Sequence, residues 1–279
     1  MQLLVSVRSA AEVEPALLGG AHIIDAKEPD RGSLGPVTPP TLATILASVP
    51  PQYPFSLALG DMGSPGEVLA AIGAIELPSR PAPTYLKLGF AGVRSPDDVT
   101  GMLAAAVAAL ARKGSTAIVV AVGYADAGRA GSIAPDLIAR CAHDGGAGGV
   151  LLDTHIKDGN GLLRWCPPRA LAAWVVGAGR EGLLTAVAGT LEPEDIAAVA
   201  AAGPDVVGVR GAACEGGRRG RISSARVRDL RHRLDLSGLT ARAEPPAART
   251  GVGETRDGAA DGPGNIGLSH LKPMIRGVP

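Results

Sequence analysis

Cysteine is scarce in this chain: Cys141, Cys166 and Cys214 stand far apart and form no CxxC pair. That spacing argues against a disulfide framework or a cysteine zinc site, and it suits a reducing compartment. An excess of either charge is also missing, because 27 Lys and Arg balance 27 Asp and Glu. With no global basic field, neither nucleic acid nor an anionic membrane surface is an expected partner. Any anion bound here must be held by a local site, which points towards small ligands. The most apolar stretch, 102–124, is broken by Arg112, Lys113 and Gly114, so it reads as a helix followed by a strand rather than a membrane span. The chain enters the apolar run Leu3–Val7 without the charged start and long apolar core of a signal peptide. A soluble cytoplasmic protein is the expectation.

What the chain does have is repetition. Eight short apolar runs rich in branched residues recur along it: 3–7, 22–26, 55–59, 84–88, 117–122, 149–153, 183–188 and 205–209. Each is too short for a helix and reads as a buried strand. Between them lie alanine-rich segments with helical start signals at Ser9–Glu12, Ser95–Asp98 and Thr190–Asp195. Gly19-Gly20 and Gly203 close helices just ahead of strands. Eight strands alternating with helices predict an α/β chain closed into a TIM (β/α)8 barrel, with a doubly wound open sheet as the competing topology. The last helix is expected over about 223–234. Residues 1–236 then form the barrel, and 237–279, rich in Gly, Pro, Ala and Arg, form a flexible C-terminal tail.

In such barrels the active site lies at the C-terminal ends of the strands. The second strand ends in His22-Ile-Ile-Asp-Ala-Lys27, where period two turns Asp25 and Lys27 to one face. The fourth ends in Tyr85-Leu-Lys87, and the sixth in Leu152-Asp153-Thr-His-Ile-Lys157. One lysine at a strand end is ordinarily a solvated loop charge. Three at even-numbered strands, which feed the same interior layers, form a candidate catalytic cluster with Asp25 and Asp153. Crowded ammonium groups in a partly dry pocket lower one another's pKa, and a neutral amine attacks carbonyls to form imines.

Two further features suit phosphate. Gly189-Thr190 follows the seventh strand, with Thr190 placed as a helix N-cap, and Arg210-Gly211 follows the eighth. Backbone N–H groups at these strand ends commonly hold a phosphate, and Arg210 adds a bidentate donor. The alternative is turn glycines beside a surface arginine. Tyr124 and Asp126, after the fifth strand, are candidate substrate-site residues: Tyr124 to donate a proton or line the pocket and Asp126 to orient a lysine, with packing and capping as equal alternatives. His155 is a lone histidine beside Lys157. Residues 30–35 read as an ordered loop over the mouth, and Arg218, Arg219 and Arg221 as a basic cluster in position for a second anion contact. There is no convincing metal-ligand cluster, and no cofactor is called for.

Taken in order, Ile-Ile-Asp-Ala-Lys27-Glu-Pro, Gly32-Ser-Leu-Gly35, Tyr-Leu-Lys87-Leu-Gly, Gly123-Tyr-Ala-Asp126, Leu-Leu-Asp153-Thr-His-Ile-Lys157-Asp-Gly and Val-Gly-Val-Arg210-Gly-Ala-Ala-Cys214 resemble the (5-formylfuran-3-yl)methyl phosphate synthases. The resemblance spans the whole expected barrel at matching intervals. It implies an enzyme of methanofuran-type cofactor biosynthesis that joins two molecules of glyceraldehyde 3-phosphate into a furan aldehyde phosphate. By the same resemblance Lys27 matches the Schiff-base lysine and Lys87 the acid–base lysine. Lys157, Asp25 and Asp153 match further active-site positions. Related barrels assemble, so a homo-oligomer is expected. The segment after about 236 departs from the family core. The residues by themselves also admit another lysine-dependent sugar-phosphate aldolase, or a non-catalytic barrel that binds a phosphorylated metabolite.

Overall fold

The structure, a computed structural model, describes residues 1–243. Eight parallel strands close on themselves in sequence order. They are β1 (Gln2–Val7), β2 (Ile23–Ala26), β3 (Phe55–Asp61), β4 (Thr84–Gly89), β5 (Ile118–Tyr124), β6 (Gly149–Asp153), β7 (Leu184–Val187) and β8 (Val206–Val209). Closure is made by β1 on β8, where Gln2 to Val5 lie opposite Val206 to Val209. The chain is a TIM barrel, and all eight strands fall on the runs expected from the sequence. The doubly wound alternative is excluded because an open sheet would leave β1 and β8 as edges, and here they pair with each other.

The helices that cover the barrel are α1 (Val13–Leu18), α2 (Pro39–Ser48), α3 (Pro65–Gly73), α4 (Pro96–Arg112), α5 (Ala127–Ala130), α6 (Pro135–Asp144), α7 (Leu162–Trp165), α8 (Pro168–Arg180), α9 (Ile196–Ala201) and α10 (Ser224–Ala243). Local chemistry starts several of them. Ser95 accepts from the Asp98 N–H at 3.2 Å with Pro96 in the first turn, as its sequence motif predicts. Thr190 is not the N-cap expected of it. A capping box between Glu192 and Asp195 opens the short 3-10 turn at Pro193 instead. The final helix also continues past Leu234 to Ala243, and within it the Ser237 hydroxyl donates to the Arg233 carbonyl at 2.9 Å, a mode a helix accommodates. Of the tail expected from residue 237, positions 244–279 lie outside the described residues.

Two apolar clusters hold the barrel. Alternate strand residues such as Leu3, Val5, Ile24, Leu86 and Leu152 pack outward against the helices. Their neighbours Ile23, Tyr85, Val120, Leu151 and Val206 fill the barrel interior. Period two thus sorts each strand between two cores. The same alternation continues upward into polar residues, so Ser6, Asp25 and Ser56 lie side by side in register on β1, β2 and β3. On the β7 and β8 side the inward residues are small (Ala186, Ala188 and Gly208), which leaves the cavity open there.

Candidate active site

The cavity at the C-terminal mouth is lined by the three lysines, by Asp25 and Asp153, and by the ends of β7 and β8. Lys87, pointing inward from β4, places its Nζ 2.7 Å from Asp25 Oδ1, and both side chains are almost fully buried. The Ser6 hydroxyl donates to the other Asp25 oxygen at 2.7 Å. Burial alone would raise the Asp25 pKa, but the charges of Lys87 and Lys27 and the hydrogen bonds from Lys87 and Ser6 hold it below the usual carboxylate value.

A second pair forms at the end of β6. Lys157 turns back to donate to Asp153 Oδ1 at 2.5 Å and to Thr154 Oγ1 at 3.0 Å. Asp153, also buried, is pushed up by desolvation and then brought below its ordinary value by Lys157 and Lys27. Burial moves the Lys157 ammonium the other way, lowering its pKa against the pull of Asp153. The second Asp153 oxygen, Oδ2, is buried without a hydrogen-bond partner among the described residues.

Lys27 is the odd member. It stands one residue beyond β2, its backbone N–H still donating to the Val7 carbonyl at 3.0 Å. Three lysines share two carboxylates, each carboxylate is taken by another lysine, and Lys27 makes no ion pair among the described residues. Its side chain is only 8% exposed. Desolvation is the main cause that brings its pKa down to about 7, with Asp153 and Asp25 resisting and Lys87 and Lys157 assisting. At neutral pH a large share of this amine is therefore unprotonated. The sequence placed Asp25 beside Lys27; the barrel gives Asp25 to Lys87.

The anion-binding expectations divide. Gly189, Thr190 and Gly211 line the β7 and β8 side of the cavity. Gly189 takes φ 120°, where a side chain is strained, and an added Cβ would also crowd the Thr154 backbone at 3.1 Å. Arg210, however, is not the free phosphate donor expected. Its guanidinium is buried against Glu12, with Nη1 2.9 Å from Oε2 and Nη2 3.3 Å from Oε1. The remaining N–H groups donate to the carbonyls of Ser6, Arg218 and Gly220. All five guanidinium donors are occupied. Arg210 therefore ties β8 to β1 and to the loop after β8. We expect Arg210→Ala to strand the Glu12 carboxylate and lower stability by about 3–5 kcal/mol, which a denaturation midpoint will register.

Arg210 and Arg218 both line the cavity on this side, and Arg218, which the sequence ranked only within a basic cluster, has no carboxylate partner among the described residues. It is half-buried and donates to the carbonyls of Pro29 and Gly32, at 3.1 and 2.6 Å. Asp30 adds contacts to Arg219 at 2.6 Å and to Arg8 at 3.0 Å. The loop of residues 28–35 is thus ordered, as expected, and bound to the β8 side of the mouth.

Tyr124 and Asp126 do not line the cavity. Tyr124 is fully buried and donates to Asp61 Oδ1 at 2.5 Å, while burial, then the Asp61 charge, holds its phenol well above the ordinary pKa. Gly89 makes room for this contact, since a Cβ there would overlap both Asp61 Oδ1 and the Tyr124 hydroxyl. Asp126 touches no lysine side chain but accepts from the backbone N–H groups of His155 and Ile156, at 2.6 and 3.1 Å. His155 rests edge-on against the Tyr124 ring. Ser6 and Asp61 went unremarked in the sequence, and Glu12 was read there only as part of a helix start. Ser6 alone carried a signal, an inward-facing polar residue in an otherwise apolar strand; the partners of Glu12 and Asp61 are far off in the chain. Among the described residues no group of three or more His, Cys, Asp or Glu is placed to hold a metal ion, and no helix is long and apolar enough to cross a membrane.

Fold and site together define a (β/α)8 barrel that carries buried lysines and carboxylates at the C-terminal ends of its strands. A family model described as 4-HFC-P synthase matches residues 3–231, and the chain belongs to that family. A (5-formylfuran-3-yl)methyl phosphate synthase from Methanothermobacter thermautotrophicus is 40% identical over 239 residues, covering 84% of this chain and 99% of its own. Its counterpart from Methanocaldococcus jannaschii is 39% identical over 235 residues, covering 83% and 98%. Among solved structures, 3-hexulose-6-phosphate synthase from Salmonella typhimurium superposes with a TM-score of 0.55 at 16% identity, over 85% of this chain and all of that one. Phosphoribosyl anthranilate isomerase from Thermus thermophilus gives 0.54 at 18% identity, over 85% and 99%. These two likenesses concern the fold alone.

Proposed function

We propose that this chain makes (5-formylfuran-3-yl)methyl phosphate from two molecules of glyceraldehyde 3-phosphate, with Lys27 as the imine-forming nucleophile. The observation that carries the reading is the unpaired, desolvated Lys27 amine between two neutral lysine–carboxylate pairs. The amine attacks the carbonyl of one triose phosphate and water leaves, giving an imine that acidifies the adjacent C–H. Lys87, held on Asp25, moves that proton. The resulting enamine attacks the second aldehyde, loss of phosphate and water with ring closure yields the aromatic furan, and hydrolysis of the imine by one water releases the product aldehyde and frees Lys27. The notch bounded by Gly189, Thr190, Gly211 and Arg218 suits a substrate phosphate, by backbone N–H groups and a guanidinium.

The test is to incubate the protein with glyceraldehyde 3-phosphate alone and follow phosphate release and the furan chromophore, with borohydride trapping of the adduct in parallel. Both signals are expected, with the label on Lys27. A labelled protein that releases no phosphate would point to a different lysine aldolase, and an unlabelled one to a binding role. The pH dependence follows from the amine. Below about pH 7 it is protonated and cannot attack, so initial trapping rates should fall tenfold per unit on the acid side and level off above pH 8. A rate flat from pH 5.5 to 8.5 would remove Lys27 from this role.

A further inference from the structure

The loop after β6 carries Lys157, and nothing in its own sequence forces it to fold back. Asp126, from the end of β5, holds it. Its buried carboxylate accepts from two consecutive backbone N–H groups, His155 at 2.6 Å and Ile156 at 3.1 Å. Both donors are fixed on one rigid acceptor, so the chain turns at these residues and the side chain of Lys157 is returned towards β6. There it reaches Asp153 Oδ1 at 2.5 Å and Thr154 Oγ1 at 3.0 Å. Arg129, one turn beyond Asp126 in α5, pins the far side of the same loop by an ion pair to Asp158 at 2.7 Å and packs over Trp165. The loop is therefore anchored to the end of β5 at both sides of Lys157.

We propose that Asp126 is a positioning residue: by folding the loop after β6 it keeps Lys157 on Asp153 and so leaves Lys27 without a carboxylate of its own. The charges that act on Lys27 are Asp153 and Lys157 from β6 and its loop, Lys87 from β4, and Asp25 from its own strand. Asp153 is the carboxylate that most favours the Lys27 ammonium, and Lys157 opposes it. With Lys157 in place the Asp153 charge is answered. With Lys157 displaced, Asp153 is free to hold a protonated Lys27, and a repelling cation has also gone. Both changes favour the unreactive ammonium form.

The proposal rests on Lys27 being the imine-forming amine, and one experiment separates the two claims. Borohydride trapping with glyceraldehyde 3-phosphate is measured from pH 5.5 to 9 on the full chain, for wild type, Asp126→Asn and Asp126→Glu. An asparagine presents one accepting oxygen where the carboxylate presents two, and carries no charge. We expect Asp126→Asn to move the acid limb of trapping upward by about one pH unit, a rate loss of about tenfold at pH 6.5 that vanishes at pH 9. Asp126→Glu, which keeps a two-oxygen acceptor, should recover most of that shift. A merely structural role would lower the amount of active protein at every pH and leave the limb where it is; that result overturns the proposal. If wild type is not trapped at Lys27, the proposed function fails instead. Should Asp126→Asn not fold, Lys157→Met tests the same link by taking the cation off Asp153 directly. Its acid limb should move upward at least as far, and a limb that stays at the wild-type position overturns the proposal.

Discussion

Lys27→Met should lose turnover by on the order of 10³-fold or more while gaining thermal stability at pH 6.5. The two effects share one cause. Lys27 is a buried amine with no ion pair among the described residues, its pKa brought down to about 7 chiefly by desolvation. In the unfolded chain the same amine titrates near 10.5. Between these values the unfolded state binds more protons than the folded one, so this group's contribution to stability rises with pH from about 7 to about 10.5. Below pH 7 its full destabilising effect is present. Methionine removes the charge and keeps much of the volume, so the melting-temperature gain should be largest near pH 6 and shrink towards pH 10. Removing the amine also removes the group we propose forms the imine. A variant that turns over normally would end the Schiff-base reading. One that melts below wild type at pH 6 would show that Lys27 is stabilised by its surroundings.

Lys87→Met should do the opposite to stability. Its partner Asp25 is fully buried and keeps a lowered pKa because Lys87 and Lys27 answer its charge. Taking away the nearer cation breaks a buried pair and leaves a carboxylate in the barrel interior. Such losses amount to about 3–5 kcal/mol, or roughly 10 °C in melting temperature for a barrel of this size. The sign with pH is fixed by Asp25. Without Lys87 its pKa rises, so the deficit is greatest at neutral pH and shrinks as acid protonates the carboxyl. Adding Asp25→Asn to Lys87→Met should recover much of the melting temperature, since a neutral amide still accepts from Ser6. Turnover should stay lost in both variants, because the proton-moving lysine is absent from each. If the double variant melts no higher than the single one, the deficit comes from packing around Lys87 and not from the stranded charge.

Much of the architecture was legible in the chain itself. Eight apolar runs of strand length, alternating with capped alanine-rich segments, permit few folds, and period two put Asp25 and Lys27 on one face of the second strand. Lys87 and Asp153 follow from their positions at the C-terminal ends of strands, where such barrels keep their sites. The ordered motifs around Lys27, Lys87 and Lys157 carried the family. Each of these signals is local, set by backbone geometry over a few residues, so a linear reading captures it.

The pairing of charges is a different matter. Lys27 and Asp25 are two apart on one strand and share a face, yet their side chains are stacked along the strand while Lys87 enters from β4, two strands away around the barrel. Arg210 looked like a free donor at a strand end, and became a structural tie because Glu12, 198 residues earlier, is brought under it where β1 meets β8. Asp126 was read as a partner for a lysine side chain, and its carboxylate went to the backbone of the next loop. The sequence by itself determined the strands, the shared face of Asp25 and Lys27, and the residue types at the mouth. Only closure of the barrel decided which lysine lacks a carboxylate, because a buried charge is governed by the nearest opposite charge in space, and that distance is fixed by the circumference of the sheet.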